Sequence, residues 1–170
     1  VDYAEYARKQ PKPKGNPALV WEPYYADISS LGDFGYTTGP FFFFKDKADT
    51  LPVSYGYYSS VWKKNKKGTW KVVMDLGIAI PGKPIEDPTL KTSTQPLEKM
   101  KVKKNGIQKS LIEIENNYCD KLNLSTHSYD TSYLSKEVRI HRPNRYPIIG
   151  ADVTDTILES EKTHRYTALD

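Results

Sequence analysis

Asp75, in the segment WKVVMDLG, is a lone carboxylate in a mostly apolar run. In mid-strand such a group would be partly desolvated, a setting that suits a general base or a neutral hydrogen-bond donor. It would equally fit the outer face of a sheet, bonded to a neighbouring strand. A second constellation is EVRIHRP, where alternation puts Arg139 and His141 on one side of a short strand and Val138 and Ile140 on the other. Arg beside His can hold an anionic group, the first through charge and the second as a titratable donor. The competing reading is an ordinary polar face at a subunit contact. Tyr36, Tyr58, Trp62 and Trp70 form the third set. On the concave side of a curved sheet they would line a cavity of mixed polarity, and under a helix they would be core.

Other chemistries have no support. The three His and Cys119 lack metal-ligand spacing, and Cys119 reads as a partly buried, inert thiol. There is no phosphate-cradling glycine loop, no dinucleotide fingerprint and no Ser-His-Asp arrangement, so neither a metal nor a cofactor is expected. Asp33 in GDFG reads as a turn residue flanked by Gly32 and Gly35. No kinase glycine-rich or catalytic loop accompanies it.

These residues need elements to position them. Residues 1–9 read as a short helix, stopped by the prolines of QPKPKGNP. ALVWEPYYADIS is a strand in which Pro23 implies an edge or a bulge. YTTGPFFFF, VSYGYYSSVWKK and TWKVVMDLGIAI are three more strands. The turn NKKG joins the last two, giving an antiparallel meander of long, bent strands. From residue 83 to 104 the proline-rich, polar chain reads as a linker. Ile107, Leu111, Ile114, Tyr118 and Leu122 then mark one apolar stripe on a helix. Tyr129 and Tyr133 fit a short helical turn, NRYPIIG a turn, and ADVTDTILESEK a helix with Asp152 near its start.

At 170 residues, with 27% charged and 38% hydrophobic residues, the chain fits one well-packed globular domain. Thirteen Tyr, five Phe and three Trp favour sheet with a semi-polar interior. The net charge of +4 comes mainly from lysines scattered over turns and linkers. That distribution argues for solubility and against a nucleic-acid face. No apolar run approaches membrane-spanning length and no signal peptide is read, so neither nucleic acid nor membrane is an expected partner. A start at Val1 is what a processed or trimmed product would show, and a single cysteine leaves the compartment open.

The segments LVWEPYYADISSLGDFGYTTGPF, YGYYSSVWKKNKKGTWKVVMDLG and SYLSKEVRIHRPNRYPIIG resemble the SnoaL-like, ketosteroid-isomerase-like members of the nuclear transport factor two-like superfamily. The nearest likeness is to bacterial proteins that often carry two such domains in tandem. The resemblance implies a cone-shaped α+β roll, its curved antiparallel sheet wrapped around a helix and a pocket. It implies a small-molecule-binding domain for an apolar or aromatic ligand. Alternatives are an isomerase- or lyase-type enzyme using Asp75 on an apolar carbonyl compound, and a non-catalytic dimerisation module. None of the ketosteroid isomerases' catalytic residues matches this chain position by position.

One departure is the order of the halves. Residues 1–82 correspond to the sheet half of such a domain and 105–170 to the helical half, which in the family comes first. An excerpt of a tandem protein, a circular permutant, or halves exchanged between two copies would each give this order. A half-domain cannot bury its own face, so the halves are expected to pack together, within one chain or in a homodimer. In the Phe run, Phe42 and Phe44 alternate with Phe41 and Phe43. Both faces of that strand therefore need cover, one from the helix and one from a partner.

Overall fold

A computed structural model of the chain describes residues 15–94, 104–124 and 131–150, together with Glu5 and residues 8–11. The expected helix in ADVTDTILESEK with Asp152, and the residues Tyr129, His127 and His164, lie outside these. Of the expected N-terminal helix, Glu5, Arg8 and Lys9 are described and helical, with a Lys9–Glu5 ion pair of 2.7 Å.

The architecture is α+β, built on a curved antiparallel sheet of five strands. β1 (Ala18–Trp21), β2 (Tyr25–Ile28), β3 (Phe34–Phe44), β4 (Ser54–Lys64) and β5 (Trp70–Ile80) precede α1 (Lys104–Leu124). A short 3-10 turn, Thr131–Tyr133, and a small hairpin of β6 (Arg139–Ile140) and β7 (Ile148–Ile149) follow. The segment NRYPIIG is thus more than a turn, because Ile148 and Ile149 pair with Ile140 and Arg139.

β3 and β4 are interior, β5 forms one edge, and β1 and β2 share the other. Trp21 pairs with Phe41 and Tyr25 with Thr38, so the single strand expected around Pro23 is two segments along one edge. Proline lacks an N–H to continue the ladder. Pairing resumes on either side of it, through Glu22 N to Pro40 O at 3.2 Å and Tyr24 N to Thr38 O at 2.9 Å. Gly39 makes this approach feasible. A Cβ there would collide with the Glu22 carbonyl and lie 2.8 Å from the Tyr24 nitrogen. The β4–β5 turn is fixed by Gly68 at φ 79° and by Asn65 Oδ1, which accepts from Lys67 N at 2.9 Å and Thr69 N at 3.0 Å.

The register sorts side chains onto two faces. Tyr36, Thr38, Pro40 and Phe42 share one with Val61, Ser59, Tyr57 and Tyr55 of β4, and with Tyr25 and Asp27 of β2. Thr37, Phe41 and Phe43 share the other with Ser60, Tyr58 and Trp62, and with Leu19 and Trp21 of β1. The first face is covered. Tyr57 is 2% exposed, and the hairpin lies over it, tied to the end of β5 by Asn144 N donating to Ala79 O at 2.9 Å. The expected linker adds to the cover. Lys91 bridges Tyr25 in parallel, exchanging hydrogen bonds with Tyr24 O and Ala26 N.

The helix forms at the expected place, but its apolar stripe is open at Leu111, which is 61% exposed, and at Ile114, which is 47% exposed. Near its end the rings of Tyr118 and Tyr133 meet, with centroids 5.5 Å apart. The hairpin and residues 83–94, not the helix, therefore cover the Tyr36–Phe42 side of β3. The hairpin is held there through Arg139 and Glu137, whose partners are Tyr25 on the sheet and Glu86, Ser93 and Thr94 of the stretch after β5.

Gly39→Ala tests the edge geometry. Backbone has to move to admit the methyl group, so the substitution is expected to cost at least about 2 kcal/mol. A thermal melt unchanged from wild type would show that the approach of Glu22 and Tyr24 is not constraining.

Candidate functional site

The covered face carries a cavity of about 420 Å³ between the sheet and the hairpin. Its floor is Tyr25, Tyr36, Thr38 and Ser59 from the strands, and its roof is Glu137, Arg139 and His141 from the hairpin. Glu137, Arg139 and His141 occur at alternate positions, so an extended chain presents all three to the sheet. Ser93 closes one side.

Arg139 is the centre of the arrangement. Its guanidinium lies 4.3 Å from the centre of the Tyr25 ring and its Nη1 is 3.5 Å from Glu86 Oε2. The two charged side chains are 10% and 15% exposed. Stacking and pairing together compensate for taking both charges out of water. Glu137 is held differently. Its Oε2 accepts from Ser93 Oγ at 2.5 Å, and its Oε1 from Thr94 N at 2.9 Å and Thr94 Oγ1 at 2.6 Å. The Tyr25 hydroxyl donates to Oε2 at 3.4 Å. These donors favour the carboxylate, and hold Glu137 down from its ordinary 4.5 to about 2.

His141 packs edge-on against Tyr57, with ring centres 6.1 Å apart. Burial, with the Arg139 charge second, pushes its proton affinity below the usual histidine value, so the ring is neutral near pH 7. Neither ring nitrogen has a hydrogen-bond partner, nor do the Tyr57 hydroxyl, Glu86 Oε1 and Arg139 Nε, although all five atoms are buried. Glu86 lies close enough to the Tyr57 hydroxyl to help burial push it up, without a well-aligned hydrogen bond. Tyr36 is also pushed well up, by burial first and by Tyr25 next. At neutral pH the phenols are therefore donors, not nucleophiles. What the cavity offers is one buried cation, a neutral imidazole with unused donor and acceptor, and stacked tyrosines.

The expected site residues do not form one cluster. Tyr36, Arg139 and His141 come together in this cavity. Tyr58, Trp62 and Asp75 lie on the opposite face, around a trough of about 430 Å³. Trp62 and Trp70 also line a third pocket of about 410 Å³, at the end of the sheet beside Gly35, and there they meet Tyr36, Asp27 and Thr92. Trp62 Nε1 donates to Thr37 Oγ1 at 3.1 Å, which fixes the indole. Asp75 is exposed, because the edge strand β5 leaves it open, and its Oδ1 accepts from Ser60 Oγ at 2.5 Å. The partial desolvation expected of a mid-strand carboxylate is thus not realised there. Asp33 does serve a turn, but its carboxylate binds the Ser29 hydroxyl at 2.9 Å instead of a backbone amide. Cys119 is part-buried. Among the described residues no three His, Cys, Asp or Glu side chains gather as a metal would need.

Glu86, Ser93 and Tyr57 were not singled out from sequence. Glu86 and Ser93 sit in a proline-rich stretch without periodicity, so no local signal marks them. Glu137 shares the alternation of Arg139 and His141 and was legible on that ground. A comparison with protein-family models, curated proteins and solved structures finds no match for the chain.

The two titrating groups of the roof imply a two-step acid response. The unfolded chain protonates its histidine before folded His141 does, so stability falls as the pH drops below about 6.5. Glu137 is depressed when folded, so its contribution is complete above about pH 4.5 and disappears as the pH approaches about 2. In urea unfolding midpoints against pH, His141→Phe should remove the first fall and Glu137→Gln should diminish the second. A wild-type midpoint flat between about pH 7 and 5 would contradict the burial of His141.

Proposed function

We propose that the chain is a small-molecule-binding domain of the SnoaL-like type, its sheet acting as the wall of a cone-shaped roll and its ligand seated between sheet and hairpin. The observation that carries this reading is the pair of buried, unpartnered nitrogens of His141, with Arg139 Nε beside them, on residues that line the 420 Å³ cavity. Leaving a buried polar atom unpaired costs about 1–3 kcal/mol. A chain that retains several in one place, beside a cavity of ligand size, is spending stability on recognition. Tyr25 and Tyr36 suit an aromatic or flat apolar body, while Arg139 and His141 suit a carbonyl or carboxylate carried on it. Binding is favoured over catalysis, because the phenols stay protonated, Glu137 is saturated with donors and Glu86 is paired with Arg139. Asp27, which also lines the cavity, accepts from Ile28 N at 2.8 Å.

His141→Phe separates the two uses of this residue. The ring volume is kept and two unpaired nitrogens are removed, so the variant should melt higher than wild type, by about 1 kcal/mol in stability. In a thermal-shift screen of small aromatic carboxylates and ketones, compounds that raise the wild-type melting temperature should lose that effect on His141→Phe and on Tyr36→Phe. Hits that stabilise all three proteins equally, or a His141→Phe protein that is less stable than wild type, would refute this assignment.

A further inference from the structure

The turn between β2 and β3 and the turn between β4 and β5 lie side by side at one end of the sheet. Phe34 pairs with Lys63, and Lys64 N donates to Asp33 O at 2.7 Å. The first turn is pinned by Gly32 at φ 65°, by Gly32 N donating to Ser29 O at 2.8 Å, and by Ser29 N donating to Phe34 O at 2.7 Å. It holds Leu31 at the tip, 81% exposed, with Ile28 and Phe34 about half exposed behind it. Trp62 and Trp70 stand next to Ile28 around the pocket of about 410 Å³. The β4–β5 hairpin supplies cations. Lys63, Lys64, Lys66, Lys67 and Lys71 stand against a single carboxylate, Asp33, in residues 28–34 and 62–72. Asp33 accepts from Ser29 Oγ at 2.9 Å, and none of the five lysines has a carboxylate partner among the described residues. Lys63 and Lys71 lie directly opposite each other across β4 and β5, a like-charge pairing that costs stability.

We propose that this end of the sheet docks on an anionic membrane surface, with Leu31 entering the boundary between headgroups and acyl chains and the lysines lying among the lipid phosphates. Exposed aliphatic and aromatic side chains ringed by lysines are the composition that partitions into such an interface. Leu31 leaves water there, and so do Ile28 and Phe34 beside it. Each lysine near an anionic surface strengthens binding by about fivefold. The headgroup phosphates also relieve the repulsion between Lys63 and Lys71. Lys64 holds its ammonium 4.8 Å from the Trp70 ring centre, so the aromatic and basic parts of the tip form one patch. Single-stranded nucleic acid would suit the lysines and the indole faces, but it would leave Leu31 and Ile28 in water. The expectation of no membrane partner rested on the lack of a spanning run. No helix among the described residues is long and apolar enough to cross a bilayer, and docking by a tip needs none. This docking makes no use of Arg139 or His141.

Vesicles of phosphatidylcholine alone, and of phosphatidylcholine with about one third phosphatidylglycerol, make the test direct. In co-sedimentation the 170-residue chain should bind the anionic vesicles at least about tenfold more tightly than the zwitterionic ones. Its tryptophan emission should shift to the blue and be quenched by brominated lipid, as Trp62 and Trp70 approach the interface. Raising NaCl from about 0.05 M to about 0.5 M should weaken binding by about tenfold or more. Lys66→Glu combined with Lys67→Glu should weaken it by about twentyfold or more, and Leu31→Ser by about tenfold, with far-UV circular dichroism unchanged. Lys47→Glu, beyond the other end of β3, should leave binding intact. The proposal is overturned by a chain that binds neither vesicle, binds both equally, or binds without regard to salt. It is also overturned if Leu31→Ser binds as wild type does, if Lys47→Glu loses as much as the tip variants, or if single-stranded oligothymidylate is bound more tightly than the anionic vesicles. The vesicle and salt comparisons use the unsubstituted chain, so they decide the matter even where a substitution disturbs folding.

Discussion

A guanidinium held out of water between the Tyr25 ring and the Glu86 carboxylate is the interaction on which the covered side of the sheet depends. It joins three pieces of chain that are distant in sequence: an edge strand, the proline-rich stretch after β5, and the hairpin. An arginine nine-tenths buried without such partners would be prohibitive in desolvation alone. With them, the hairpin can come down on the sheet only in a pose that keeps the stack and the pair together. That pose also brings Glu137 onto Ser93 and Thr94, and His141 onto Tyr57. The cavity is the space this polar scaffold cannot fill.

The two faces of the sheet follow different logics. The covered face is polar and specific, with hydroxyls and charges matched one by one, and a few matches left open around His141. The open face is apolar and general, with aromatic side chains over a floor of glycine, serine and threonine. A sheet with one polar and one apolar face resolves a conflict that a single pocket would have to carry. Recognition of a small polar group needs unpaired buried atoms, which weaken the fold. Burial of broad apolar surface supplies stability, but without chemical selectivity.

Much of the sheet was legible in the chain. Alternation through the Phe run set Phe42 on one side and Phe41 and Phe43 on the other, which is how the register places them. Pro23 marked the interruption on the edge strand, and Gly68 the turn between β4 and β5. Arg139 and His141 shared a face by their spacing and do line one cavity. The misplaced expectations were those that needed knowledge of what lies above a strand. Asp75 looked enclosed because its sequence neighbours are apolar, yet β5 is an edge and the carboxylate is exposed. Tyr58 looked like a companion of Tyr36, but strand parity sends it to the opposite face, whereas Trp62 and Trp70 still meet Tyr36 at the end of the sheet.

By itself, then, the sequence determined the local elements: strand periodicity, turn chemistry, and the pairing of Arg139 with His141 two residues apart. These depend on neighbours along the chain, where backbone geometry alone decides which way a side chain points. Only the tertiary structure decided which face is covered and encloses a cavity. Glu86, Ser93 and Tyr57 acquire their roles through contacts between distant segments. Their energies depend on burial and charge compensation, which exist only once the chain has closed on itself.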